Sequence, residues 1–216
     1  MRYILSFIFL AVVLMFSCKK DDTKKIIIKG KIIDKNQNIP VSGAEITFWA
    51  SRLQGGTYNP SLIPMASAVS NENGDFQIAY DKDKDASYRI TVEKNNYFGI
   101  TQDIDVDKLP SGNYTYNYEI TPEAYLKLVV KNHYPYDNND FIGYTINPPQ
   151  PNGVNCCPSS ANTGIGYFYE NTIKCKTYGA QKVKITWSVK KNNINSLYDS
   201  LIYCIPFDTT VFNLNY

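Results

Sequence analysis

One histidine, His133, supplies all the imidazole in 216 residues. Any Ser-His-Asp or Cys-His arrangement must therefore use it, and a multi-histidine zinc centre is excluded. His133 sits in Asn132-His133-Tyr134-Pro135, a polar loop with no nucleophile motif beside it. The chain also lacks a G-x-S-x-G elbow, a phosphate-cradling glycine loop and a dinucleotide fingerprint. Its net charge is +2, with lysines and carboxylates interspersed. The basic stripe that nucleic-acid binding needs is missing, so no nucleic-acid partner is expected. Long helical periodicity is absent, and Tyr3 to Ser17 falls short of the roughly 20 apolar residues of a membrane span. No cofactor, metal site or catalytic residue is assigned. The enzyme alternative that survives is a glycan hydrolase built on paired carboxylates, which needs no histidine.

What is present is tyrosine, 18 residues of it, with abundant Asn and Thr. That is a strand-and-turn composition, and the fold class expected is all-β, two consecutive antiparallel sandwiches. In residues 26–121 the periodicity is two. Ala44, Ile46, Phe48 and Ala50 share one face, as do Phe76, Ile78 and Tyr80, and then Tyr88, Ile90 and Val92. Asn71-Glu72-Asn73-Gly74 reads as a tight turn, with Gly74 free to take positive φ. Asp81-x-Asp83-x-Asp85 begins like a calcium loop, but Ala86 and Val92 stand where such a loop wants Gly and Glu. It is read as a solvated hairpin turn. Tyr114, Tyr116 and Tyr118 share a face, which suits a covered sheet better than an aromatic platform.

The motif series Gly30-Lys31-Ile32-Ile33-Asp34, Ile39-Pro40-Val41-Ser42-Gly43-Ala44-Glu45-Ile46, Ser70 to Phe76 and Tyr88 to Val92 resembles the carboxypeptidase regulatory-like domain. The resemblance covers roughly residues 26–105 and implies a transthyretin-like sandwich that is itself non-catalytic. Residues 122–216 read as a second, immunoglobulin-like sandwich. Pro122 is the expected joint, since proline disfavours regular structure just before it. In this half Val183, Ile185, Trp187 and Val189 alternate with Lys184, Thr186, Ser188 and Lys190, and Ile165 to Tyr178 reads as one strand.

At the other end, Arg2 precedes an apolar run that stops at Ser17-Cys18, and the composition turns polar at once. A charged head, an apolar stretch of about a dozen residues and a small residue before the break make a secretory signal, residues 1–17. With cysteine next, the stretch resembles a bacterial lipoprotein signal, in which that cysteine is acylated. The following Lys19-Lys20-Asp21-Asp22 resembles the surface-export tag of Bacteroidota lipoproteins. The resemblance implies lipid on Cys18, a tether over residues 18–25, a membrane lipid anchor as partner, and an outer-membrane, cell-surface location. Stable anchoring takes two or more acyl chains.

With Cys18 set aside, Cys156, Cys157, Cys175 and Cys204 allow three full pairings, among which sequence does not choose. Read as a three-strand meander, residues 165–205 bring Cys175 and Cys204 to one end with inward parity. A Cys175–Cys204 disulfide is therefore expected. The missing catalytic constellation favours a binding module for a polysaccharide or an envelope protein, with Tyr58, Tyr134 and Tyr136 as ligand contacts. A purely structural envelope spacer is the third reading.

Overall fold

The computed structural model describes residues 25–54, 57–58, 60–148, 157 and 159–216. Cys18, the signal segment, the tether as far as residue 24, and Cys156 lie outside the described residues. The fold is all β. Its strands are β1 (Lys25–Asp34), β2 (Ile39–Pro40), β3 (Glu45–Gln54), β4 (Thr57–Tyr58), β5 (Ile63–Val69), β6 (Asp75–Asp81), β7 (Asp85–Glu93), β8 (Tyr97–Phe98), β9 (Ile100–Ile104) and β10 (Gly112–Thr115). Then come β11 (Tyr118–Lys131), β12 (Phe141–Asn147), β13 (Asn162–Ile165), β14 (Glu170–Tyr178), β15 (Gln181–Lys191), β16 (Ile194–Cys204) and β17 (Thr209–Asn215). Among the described residues a single 3-10 turn, at Val106–Lys108, interrupts them. Among the described residues no helix is long and apolar enough to cross a membrane.

The first core lies between two sheets. One sets β1 between β6 and β10; the other runs β5-β3-β7-β9. The alternation read from the sequence places the side chains here. Ile46, Phe48 and Ala50 of β3, with Tyr88, Ile90 and Val92 of β7, are all buried. Gly30 marks a change of partner along β1, which pairs β10 over Ile26–Lys29 and β11 over Ile32–Asp34. The chain crosses Gly30 at Tyr116, and a Cβ on Gly30 would overlap the Tyr116 carbonyl oxygen. Only glycine admits that approach.

The second core lies between β14-β11-β17 and β13-β12-β15-β16. The two hydrophobic clusters share no residue: one draws on Ile26 to Ile120, the other on Ala124 to Tyr216. One strand serves both, since β11 runs unbroken through Pro122, which pairs with Tyr97. The expected joint is therefore packed rather than open. Asn36 Nδ2 donates to the Gly179 carbonyl at 2.8 Å, Phe98 meets Tyr178 at 4.5 Å between centroids, and Tyr97 meets Phe207 at 5.2 Å. Burial, the charge of Asp34 and a hydrogen bond to it push the Tyr97 hydroxyl up to about 12.

Pairing is not purely antiparallel: β1–β10, β1–β11 and β11–β17 are parallel. Each links strands far apart in the chain, which the alternation of side chains cannot reveal. Tyr118 is core, and Tyr114 and Tyr116 pack against the same cluster, so these tyrosines are a covered face. The stretch 165–178 is two strands, β13 and β14, parted by a turn in which Gly166 N–H donates to the Asp140 carbonyl.

Candidate functional site

β16 and β17 belong to opposite sheets of the second sandwich, yet they are consecutive in the chain. At the connecting turn they are held together: Ile205 N–H donates to Thr210 Oγ1 at 3.1 Å, and that hydroxyl reaches the Tyr203 carbonyl at 3.5 Å. Toward their other ends a groove of about 550 Å³ opens. Ile194, Ser196 and Tyr198 line it from β16, and Asn215 with Tyr216 from the end of β17. Trp187 lines it from β15, with the parity of the buried Val183, Ile185 and Val189 but itself only half-buried. The Trp187 indole stacks on Tyr198 at 5.6 Å and 23°, and Phe212 backs it at 6.3 Å.

Turn chemistry shapes one rim. Asn192 and Asn193 take φ of 46° and 59°, the left-handed pair that a two-residue hairpin demands. Asparagine tolerates that region better than other non-glycine residues. Lys191, just before them, donates to Asn132 Oδ1 at 2.8 Å and to the Tyr134 carbonyl at 2.7 Å. Its ammonium also lies 4.9 Å from the centre of the Tyr216 ring.

Those bonds tie the groove to the loop between β11 and β12. The Asp140 carboxylate, fully buried, holds the loop's shape. It accepts from Asn132 Nδ2 at 3.0 Å, Tyr136 N–H at 2.7 Å and Asp137 N–H at 3.3 Å. Burial on its own would raise its pKa, but these donors and the Lys191 charge outweigh burial and hold it below the usual carboxylate range. For Tyr216, burial with the Asp140 charge pushes the hydroxyl up to about 12.

Of the three sequence-predicted tyrosines, Tyr134 and Tyr136 lie on this loop, and the Tyr134 carbonyl meets Lys191, which lines the groove. Tyr134 is 74% exposed and Tyr136 54%. Tyr58 does not join them. Its backbone pairs with Leu53 in the first sandwich, and its side chain lies outside the described residues. His133 is exposed and meets the Tyr134 ring edge-on at 4.6 Å. The alternation over Val183 to Val189 gives Trp187 its parity but does not single out Trp187, Tyr198 or Tyr216 as a site. The missing signal was which sheets the flanking strands join.

The expected Cys175–Cys204 bridge is replaced by Cys157–Cys175, while Cys204 is a buried free thiol. Strands β14, β15 and β16 are not one meander. β14 pairs with β11 and β15 with β12, so the turn at Gly179-Ala180 passes between sheets and leaves Cys175 and Cys204 on opposite ones. Cys157 N–H donates to the Lys176 carbonyl at 2.9 Å, which sets Cys157 beside β14 and brings its sulfur to Cys175. Burial pushes the Cys204 thiol up to about 11, so it stays protonated at neutral pH.

The first sandwich offers shallower ground. A depression of about 450 Å³ on its outer face includes Trp49, Thr91, Glu45 and Glu93. Glu45 and Glu93 are exposed and directly opposite across β3 and β7. Trp49 Nε1 donates to Thr91 Oγ1 at 3.0 Å. The Asp81-x-Asp83-x-Asp85 stretch differs from a solvated turn in one respect. The Asp85 side chain is fully buried and accepts from the hydroxyls of Tyr80 and Tyr88 and from Arg52 Nε. Its oxygens are committed to those donors. Among the described residues no group of three or more His, Cys, Asp or Glu is placed to hold a metal ion.

No family model matches the chain, and no curated protein matches it. Solved structures give only faint likenesses. The 3-chlorocatechol 1,2-dioxygenase of Rhodococcus opacus 1CP is 14% identical, with TM-score 0.33, over 47% of this chain and 62% of that one. The Bacillus anthracis TIE protein is 12% identical, with TM-score 0.37, over 88% of this chain and 34% of that one. The 9R-lipoxygenase of Cyanothece PCC8801 is 19% identical, with TM-score 0.31, over 46% and 17%. In each case the match spans less than two thirds of the other chain. None places this chain in a family.

Proposed function

We propose that this chain is a Bacteroidota-type lipoprotein, anchored to the outer membrane through lipid on Cys18 and facing the cell surface. Its work is binding rather than catalysis, with a polysaccharide or an envelope protein as ligand. The motif series from Gly30 to Val92 supports reading the first sandwich as a carboxypeptidase regulatory-like support. The observation that carries the binding reading is the groove between β16 and β17. A stacked Trp187–Tyr198 pair beside Ser196, Asn192 and Asn215 joins an aromatic face to hydroxyl and amide groups. A pyranose ring has the matching character, with an apolar C–H face and a polar edge. A peptide aromatic or aliphatic side chain fits the same wall less completely, because it leaves the amides unpaired.

The test is a glycan-array screen with the soluble fragment 19–216, repeated with Trp187→Ala. Retained glycans that the variant loses, with its fold intact by circular dichroism, support the reading. Retention unchanged by the variant sinks it. The enzyme alternative rests on the Glu45–Glu93 pair, whose open setting gives neither carboxyl the dry environment that a general acid uses. Glycan turnover abolished by Glu45→Gln or Glu93→Gln would decide for that alternative. For the anchor, Cys18→Ser should release the protein from the detergent phase, and retention there would refute lipidation.

A further inference from the structure

β16 is an outermost strand. β15 pairs it along its whole length, from Lys191↔Ile194 to Gln181↔Cys204, and no strand lies on its other side among the described residues. In an antiparallel pair each residue directs its N–H and C=O to one side, and the side alternates along the strand. Two sets of bonds fix the phase. The Cys204 carbonyl accepts Ala180 N–H at 2.8 Å, toward β15, whereas the Tyr203 carbonyl and Ile205 N–H meet Thr210 on the opposite side. Alternation then turns the backbone groups of Asn195, Leu197, Asp199 and Leu201 away from β15.

Natural sheet edges are usually blunted by lysine, proline or a bulge. Residues 194–204 contain neither Lys nor Pro, and their register against β15 is unbroken. The outer face is apolar, with Leu197 75% and Leu201 58% exposed. The one charge, Asp199, is held by Lys184 at 2.9 Å.

We propose that a second copy of this chain pairs with β16, antiparallel, about a two-fold axis at Tyr198. The registers open to a symmetric pair select this one. Outward backbone groups must face outward backbone groups. Centred on Tyr198, Asn195 opposes Leu201 and Leu197 opposes Asp199, so all four outward residues are used. Centred on Asp199, two carboxylates would stand directly opposite each other, which is destabilising. Centred on Ser200, Leu197 would oppose Tyr203, whose carbonyl already meets Thr210. The stretch free of Thr210 is thus its own complement, which is why a second copy rather than a foreign strand is the occupant. In this register the Leu197 side chains of the two copies become diagonal neighbours, each also flanked by the other's Leu201. On the inner face the two Tyr198 residues meet, and the two grooves lie side by side for a repeating ligand.

The contact is small, at the low end of specific interfaces, so the dimer forms in the micromolar range. Sedimentation of the full chain across that range should show a monomer–dimer equilibrium. Leu197→Pro removes an N–H that points away from β15 and should weaken association by about tenfold or more. Leu201→Lys, a charge placed on the exposed outer face, is the second variant should the proline disturb folding. Tyr198→Cys should form an interchain disulfide on mild oxidation, since opposed Cα atoms at such a site lie about 4.5 Å apart. Asn195→Cys should not. A chain that stays monomeric throughout, a dimer that both Leu197→Pro and Leu201→Lys leave intact, or cross-linking through Asn195→Cys in place of Tyr198→Cys overturns the proposal. Capture of an extended foreign peptide by a monomeric chain counts against it equally.

Discussion

The two sandwiches use the same kind of residue in opposite places. In the first, Phe48, Tyr80 and Tyr88 are buried together, with Phe48 5.0 Å from each of the other two ring centres. In the second, Trp187, Tyr198 and Phe212 gather where the sheets part. Among the described residues, the large exposed apolar side chains of the first sandwich are Ile39, Ile63 and Val69, while thirteen others follow Ala124. Apolar surface left in water is unfavourable by about 25 cal/mol per Å². Its concentration in the second sandwich is what the proposed binding reading expects of the half that meets a ligand.

The sharpest way to break this comparison is to open the closed half. Gly30→Val should destabilise the first sandwich by about 4 kcal/mol or more, because a side chain there collides with backbone rather than with a movable side chain. Urea denaturation followed through Trp49 would measure it. Next in size is the staple of the second half. Removing the Cys157–Cys175 bridge by Cys175→Ser should cost about 3 kcal/mol, the entropic value for a loop of that length. Non-reducing peptide mapping should recover the Cys157–Cys175 peptide from the wild type and leave Cys204 alkylated only after unfolding.

Much of the first sandwich was legible in the sequence, and the groove of the second was not. Alternation identified the buried faces of β3, β6, β7 and β15, because a strand with one covered face must repeat every two residues. Alternation is silent about which strand lies beside which. The bridge at Cys175 followed from β14 and β15 joining different sheets. The two cores do divide around Pro122, but the strand does not break there, since a proline can sit within a strand when no ladder bond needs its nitrogen. The exposure of Tyr134 and Tyr136 was legible because residues 132–140 read as a polar loop. The buried role of Asp140 in that loop was not legible, since nothing local says that a carboxylate will be buried.

Two smaller effects test whether the halves stay distinct. Phe98→Ala removes a ring that packs on Tyr178 and lies 5.6 Å from the Lys176 ammonium. It should cost about 1–2 kcal/mol and expose β11 near Pro122 to limited proteolysis that the wild type resists. Acid should loosen the loop that Asp140 holds. Asp140 takes up its proton at lower pH folded than unfolded, so the stability it contributes is complete above the ordinary carboxylate value of about 3.9 and fades as pH falls through the folded value. Amide signals of Asn132 to Asp140 should broaden in that window. Asp140→Asn should weaken this loop at every pH.

The chain carries two tryptophans, one per sandwich: Trp49 beside the carboxylate pair and Trp187 in the groove. Their indole N–H signals report on the two halves at once. Titration of the labelled protein with a glycan retained on the array should move the Trp187 signal in proportion to saturation and leave Trp49 in place. Movement of Trp49 with Trp187 unmoved would put the ligand on the first sandwich and contradict the account.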